Sequence, residues 1–458
     1  MQKIFALTIL IAVAACNPSS TSKIPTTVPK ANIKPVAGIE IENNGSLLYP
    51  PTSPNPTRDR YWWTHSPIVA DFNNDGHEDI WITGVQLPDV DARSAASEDT
   101  GDICGSKGYC NSNLAKPSLY LSNGKGRYVL RDDLVRDLRT KPGHSLARQN
   151  LVADFNGDGR LDIYIADHAV GHHNGIRDSY FLSQPDGTLL ESSETHLSAS
   201  NFKVFDHGAA TGDLDADGDM DVVITDMSKG GQIQCLLNDG VGYLKKRQCG
   251  NIFAFGIELA DIDGDGDLDL IHSAHEFFDW NGNWKTGVAL NNGRGSFSYR
   301  RIALPMNRKW GTVPEVSAWD LDKDGDHDIV LSRAGELYVG TAVEILENLG
   351  NGRFDSKLYE LSVAPASFKP TSEGNEWNTY IEALKFADVD EDGDPDIMLV
   401  SNGDPKLPAA SYMRNDGDMH FTYVKAGRGS KIQKVPHSAF SHQEAIKEIK
   451  RTSLLPVE

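Results

Sequence analysis

Six nine-residue runs place oxygen-bearing side chains at positions 1, 3, 5 and 9. They begin at Asp71, Asp154, Asp213, Asp261, Asp320 and Asp388. Position 1 is always Asp. Position 3 is Asn73, Asn156, Asp215, Asp263, Asp322 or Asp390, and position 5 is Asp75, Asp158, Asp217, Asp265, Asp324 or Asp392. Position 9 is Asp79, Asp162, Asp221, Asp269, Asp328 or Asp396. Such a donor set suits a hard cation that takes six to eight oxygens, with calcium first in line. Position 7, occupied by His77, Arg160, Asp219, Asp267, Asp326 or Asp394, is expected to offer its backbone carbonyl. Position 6 is Gly in every copy, where a sharp turn needs positive φ. Position 12 is never acidic, which excludes an EF-hand, and oxygen-only ligands disfavour zinc or copper. Unscreened, the carboxylates of one loop would repel each other. Asn at position 3 lowers the charge of the first two loops, so these are expected to bind more weakly.

The formal net charge of the 458 residues is −21, which disfavours nucleic acid as a partner. Much of it is loop charge: six divalent ions would offset more than half. The ions are expected to be structural, since the loops leave no position reserved for a substrate.

Apolar runs flank each loop, as in Ile68-Val-Ala before Asp71 and Val222-Val-Ile after Asp221. Position 2 is always apolar (Phe72, Phe155, Leu214, Ile262, Leu321, Val389). These are buried-strand signals, so each loop joins two strands. An Asn-Gly or Asp-Gly hairpin follows in most units, for example Leu290-Asn-Asn-Gly-Arg-Gly. Four strands per unit, recurring every 48 to 83 residues, predict an all-β propeller of four-stranded blades. The chain resembles the FG-GAP (VCBS) repeats of integrin α-subunit propellers and of bacterial secreted proteins, over roughly residues 61–424. That resemblance implies blades around a central axis, often seven. Six loops are visible, and a seventh blade is expected from residues 37–60 and 425–440.

The propeller is thus expected over residues 37–440, with residues 441–458 as a short amphipathic helix and tail opened by Ser441-x-x-Glu444. Residues 1–15 read as a signal peptide: Lys3, a short apolar run, then small residues. Val13-Ala-Ala-Cys16 resembles a bacterial lipoprotein box, which implies lipidation of Cys16, with Ser/Thr/Pro-rich residues 16–36 as tether. Asn17, not Asp, follows, which in enteric-type bacteria implies the outer membrane. In an oxidising compartment the other four cysteines are expected to pair locally, Cys104 with Cys110 and Cys235 with Cys249. Buried free thiols are the alternative for the second pair.

Propeller loops alternate between faces. Trp62, Trp63, Trp280, Trp310 and Trp377, with Arg148, His172 and His173, fall on the face opposite the metal loops. Aromatics mixed with polar groups mark a ligand face for an extracellular protein or glycan. Alternatively, these side chains seal the channel mouth. His168-x-x-x-His172-His173 and His272-x-x-His275-Glu276 offer transition-metal spacing, although strands do not guarantee a common face. Three functions follow: a lipid-anchored binding module, a lyase-like polysaccharide-degrading enzyme using His172, His173, Arg148 or Lys309, or an assembly lipoprotein docking a protein partner. No nucleophile elbow or catalytic triad is visible.

Overall fold

The computed structural model describes residues 40–42, 60–63, 68–83, 85–88 and 116–425. Within the last span it leaves out 126, 141, 145–146, 169–176, 199–204, 279–284, 298–299, 370–376, 378, 402–406 and 408–410. Cys16, Cys104, Cys110, His172, His173, Trp280 and the 441–458 helix lie outside the described residues, as do the side chains of Trp62 and Trp63. Among the described residues, no helix is long and apolar enough to cross a membrane.

Strand β1 (Glu40–Glu42) precedes β2 (Arg60–Trp63), β3 (Ile68–Ala70), β4 (Asp79–Ile82), β5 (Val85–Pro88), β6 (Ser118–Ser122) and β7 (Arg127–Leu130). Blade 1 is the antiparallel sheet β3-β4-β6-β7, while β2 and β5 pair as a separate ribbon. Blade 2 contains β9 (Ala147–Ala153), β10 (Asp162–Asp167), β11 (Ser179–Ser183) and β12 (Leu189–Glu191), with β8 (Val135–Arg136) parallel on its outer edge. Blade 3 is β13 (Asp206–Gly212), β14 (Asp221–Asp226), β15 (Gln232–Leu237) and β16 (Lys245–Arg247). Blade 4 is β17 (Ile257–Ala260), β18 (Asp269–His272), β19 (Gly287–Leu290) and β20 (Arg300–Ala303). Blade 5 is β21 (Thr312–Trp319), β22 (Asp328–Ala334), β23 (Thr341–Asn348) and β24 (Phe354–Ser362). Blade 6 is β25 (Ile381–Ala387), β26 (Asp396–Ser401), β27 (Tyr412–Asn415) and β28 (Phe421–Val424).

The protein is therefore a six-bladed all-β propeller. The expected preference for seven blades is corrected. Residues 40–42 pair antiparallel with β7 and lengthen blade 1 instead of starting another blade. The edge of β7 offers free backbone donors and acceptors, and β1 covers them.

The core lies between blades. One cluster joins Tyr164 and Tyr180 of blade 2 to Val222 and Ile224 of blade 3, and another joins Val223 and Cys235 of blade 3 to Leu270 and Ala289 of blade 4. Every second strand is covered on both faces, so it reads as a continuous apolar run; all six residues of β10 and of β14 are buried. First strands of successive blades approach one another at the axis, as β9 with β13 and β21 with β25 do. Cys235 on β15 and Cys249, just after β16, are disulfide-bonded with their Cα atoms 5.8 Å apart.

Candidate functional site

Each acidic loop closes on its own backbone in the same way. The position-1 carboxylate accepts the N–H of the position-6 glycine, at 2.8 Å in Asp71 and Asp154 and at 2.9 to 3.2 Å in Asp213, Asp261, Asp320 and Asp388. Those glycines have φ from +83° to +100°, the left-handed region. Position 4 is left-handed as well, even where it is Asn74, Ala216, Lys323 or Glu391.

Position 9 has a structural task of its own. Its buried carboxylate clamps two backbone segments together. Asp328 Oδ2 accepts the Leu321 N–H at 2.9 Å, and Oδ1 accepts the Asn348 N–H at 2.8 Å. Asp79, Asp162, Asp221, Asp269 and Asp396 hold the equivalent pairs. Burial pushes the first five of the six position-9 carboxyls up to about 7, and Asp396 to about 6.

The residue meeting position 9 on the third strand is Asn in blades 3 to 6, and its amide reaches the preceding blade. Asn238 Nδ2 donates to Phe155 O at 2.7 Å, Asn291 to Leu214 O at 2.8 Å, Asn348 to Ile262 O at 3.0 Å, and Asn415 to Leu321 O at 2.9 Å. Blade 2 has Ser183 there. Its hydroxyl bonds only its own blade, to Leu161 O. A small cleft lies beside it, between Phe72, Asn73, Arg160 and Ser183.

The loops fit a cation. Asp213, Asp215 and Asp217 bring one oxygen each within 4.8 Å of one another, as do Asp261, Asp263 and Asp265, then Asp320, Asp322 and Asp324, then Asp388, Asp390 and Asp396. Asp215 Oδ1, Asp263 Oδ1 and Asp320 Oδ1 are buried with no hydrogen-bond donor among the described residues. Burial, followed by their loop neighbours' charges, holds the Asp215 and Asp263 carboxyls above the usual range. Orphaned, mutually repelling oxygens are what a divalent ion would satisfy. In the second loop the Arg160 guanidinium already pairs with Asp158. The first two loops also spend the Asn73 and Asn156 side-chain oxygens on the N–H of position 5, at 2.9 and 3.0 Å.

At the opposite end of the strands a line of rings crosses five blades. His168 after β10 meets Phe205 (centroids 4.5 Å) and His207 on β13 (5.2 Å). His207 meets Phe255 at 3.3 Å, Phe255 meets His275 at 4.1 Å, His275 meets Tyr338 at 5.7 Å, and Tyr338 meets Tyr380 at 5.2 Å. Leu337 and Tyr338 are both left-handed, with φ of 55° and 58°. Side-chain-bearing residues in that region cost of order 1–3 kcal/mol each and persist where surrounding structure enforces them. Burial pushes the imidazoles down, to about 3 in His168 and about 4 in His275, while His207 lies well below its ordinary value.

Beside the rings, charged side chains from the inner strands face one another. Arg148 on β9 depresses His168 and His207, and opposes the rise of Glu315 on β21. Glu315 is pushed up to about 8, by burial first; Arg148 and Lys385 oppose the rise and Glu258 adds to it. Glu258 is raised by burial too, against the pull of Lys385 and Ser317.

Of the sequence-expected ligand residues, Arg148 belongs to this end. Trp310 is 2% exposed and packed, its Nε1 donating to Glu360 at 2.8 Å. Trp377 is half-buried with its ring 6.4 Å from Phe368. The His272, His275 and Glu276 side chains do not converge. His272 is buried in β18, His275 joins the ring line, and Glu276 binds the buried Arg333 at 3.3 Å. Arg333 also bonds Glu344 Oε2 of its own blade at 2.5 Å, and through Glu276 it ties blade 5 to blade 4. Among the described residues, the metal-capable groups of three lie only in loops three to six. The sequence reading missed Glu258, Glu315, Lys385, Tyr338 and Tyr380. The left-handed Leu337-Tyr338 pair leaves no clear sequence signal, whereas Glu315 precedes its acidic loop by a countable five residues.

The family described as FG-GAP-like repeat matches residues 154–224, 213–272 and 320–399. Among solved structures, the chain is similar to a Bacillus licheniformis rhamnogalacturonan lyase at 14% identity and TM-score 0.36, covering 75% of this chain and 56% of that one. It is similar to the exotype rhamnogalacturonan lyase YesX at 13% and 0.36, covering 84% and 58%. A β-fructofuranosidase from Schwanniomyces occidentalis follows at 8% and 0.33, covering 68% and 62%. The chain thus spans less than two thirds of each of these proteins. No curated protein matches the sequence. The matched segments start on the acidic loops of blades 2, 3 and 5 and run into the following strands, and with all six loops closing alike this chain is an FG-GAP-repeat β-propeller.

Proposed function

We propose that the protein is an exported binding module, lipid-anchored through Cys16 in the bacterial outer membrane, whose loops hold about six calcium ions. Its ligand is an extracellular or periplasmic glycan or protein, taken at the ring-lined end of the axis. The observation that carries this reading is the line of rings from His168 to Tyr380, with Tyr338 held in a strained backbone between His275 and Tyr380, and with Arg148, which acts on both His168 and His207, grouped with Glu315 and Lys385 on the inner strands. Ring faces stack on the apolar face of a sugar or on an aromatic side chain, and the charged groups bond hydroxyls or amides. The metal loops, at the other end, serve the fold.

The test is a glycan array and an envelope-extract pull-down with the calcium-loaded protein. The reading expects at least one specific ligand, with affinity reduced at least tenfold by Tyr338→Ala and unchanged by Asp263→Asn at saturating calcium. No ligand in either assay, or a ligand indifferent to Tyr338, overturns it.

A second reading is polysaccharide cleavage. It rests on Glu315, whose carboxyl stays protonated near neutral pH beside Arg148, as a general acid requires. An unsaturated, ultraviolet-absorbing product or new reducing ends from a polysaccharide panel, lost in Glu315→Gln, favours it. Binding without turnover removes it.

A further inference from the structure

Asp178 and Asp206 are fully buried between blades 2 and 3. Tyr164 Oη donates to Asp178 Oδ2 at 2.5 Å, and the Asp167 N–H donates to Oδ1 at 2.9 Å. Among the described residues neither Asp206 oxygen meets an N–H or hydroxyl donor, and the Asp178 carboxyl is its side-chain partner. Two touching carboxyls in a dry interior cannot both ionise, so one keeps a proton and donates it to the other. Asp178 already receives two hydrogen bonds, so it is the acceptor and Asp206 carries the proton.

The pair sits beneath the ring line. Asp206 lies between Phe205 and His207, and Asp167 directly precedes His168. We propose that Asp178 and Asp206 share one proton, and that this proton latches the His168–Phe205–His207 sector of the ring-lined end, releasing it in alkaline solution.

The neighbours supply little compensation once the proton leaves. Among the described residues the pair faces Tyr164 and Asp167 of β10, Asp226 of β14 and Lys246 of β16; Tyr180 of β11 stands behind Tyr164, and Lys229 behind Asp226. Lys229 is half-exposed, 3.4 Å from Asp226. Lys246 is lowered to about 8, by burial first and then by Lys229, so it discharges in the same alkaline range. Asp206 is raised well above the carboxylate range, by burial and then by Asp178, while Asp178 rises to about 7. A raised acid is ionised more readily in the opened state. Rising pH therefore favours opening until the folded pair has lost its proton.

Hydrogen exchange of the full chain at saturating calcium, corrected for the intrinsic rate, tests this. Between pH 6 and pH 9, peptides covering 162–168 and 205–212 are expected to open at least tenfold more, while 329–333 stays flat. Asp206→Asn is expected to remove that dependence. A direct readout on the unsubstituted protein is the carboxyl-carbon NMR titration of labelled aspartates, where one resonance should titrate above pH 7. That measurement stands even if the variant fails to fold. Flat protection across the pH range, an unchanged rise in Asp206→Asn, or every carboxyl outside the metal loops titrating below pH 5 overturns the proposal.

Discussion

Asn348 donates its side-chain amide to Ile262 O, 3.0 Å away and one blade back, while its own N–H is held by Asp328. One residue thus fastens the third strand of blade 5 to its acidic loop and to the acidic loop of blade 4. The same arrangement recurs at Asn238, Asn291 and Asn415. Its amide has a further acceptor, the part-buried His327 O at 3.1 Å, so Asn348→Ala strands one buried and one part-buried carbonyl. A loss of about 1–3 kcal/mol is expected, measured by chemical denaturation at saturating calcium. A change under 0.5 kcal/mol would mean the amide is replaceable by solvent.

Blade 2 lacks this fastening because Ser183 is too short to reach Phe72 O. Ser183→Asn is expected to raise the midpoint of unfolding by filling the cleft beside Phe72. A lowered midpoint would show that the cleft is packed against enlargement.

Arg333 is buried between Glu276 and Glu344 and also bonds the carbonyls of Pro305 and Trp310. Removing one member leaves a buried charge unpaired. Arg333→Met is expected to cost about 3–5 kcal/mol in denaturation experiments. A neutral outcome would mean that water replaces the guanidinium there.

The buried imidazoles set an acid limit. Burial lowers His168 to about 3 and His272 and His275 to about 4. The unfolded chain therefore binds more protons between about pH 6.5 and pH 4. Their neutral forms stabilise the fold above pH 6.5, and that contribution is lost as the pH falls toward 4. The thermal midpoint should fall across this window, and less steeply in His272→Gln. An identical slope in that variant would assign the acid limit to other groups.

Much of this architecture was legible in residue spacing. Six loops with glycine at position 6 and apolar position 2 specify six strand pairs, because the loop chemistry and the strand burial constrain the same residues. The blade count went astray because three residues such as Glu40–Glu42 carry no periodicity, and only their pairing with β7 shows where they belong. The Asn amide contacts were hidden for a different reason: an Asn before a glycine reads as a turn former, and nothing local says that it reaches another blade. At the ring-lined end, Arg148, His207 and Phe255 all stand six residues before their acidic loops, so their common level could be counted. Trp310 looked equally available, yet its fate depended on Glu360, fifty residues away.

The central claim is that the acidic loops are cation sites that hold the propeller together. Calorimetric titration of calcium into chelator-stripped protein, combined with a metal count per chain after gel filtration, tests it most directly. The account predicts at least four tight sites, from the loops at Asp213, Asp261, Asp320 and Asp388, and weaker ones at Asp71 and Asp154. It predicts one tight site fewer in Asp263→Asn, and a thermal midpoint that falls when calcium is removed. Fewer than four ions per chain, a count unchanged by Asp263→Asn, or a midpoint indifferent to calcium would contradict it.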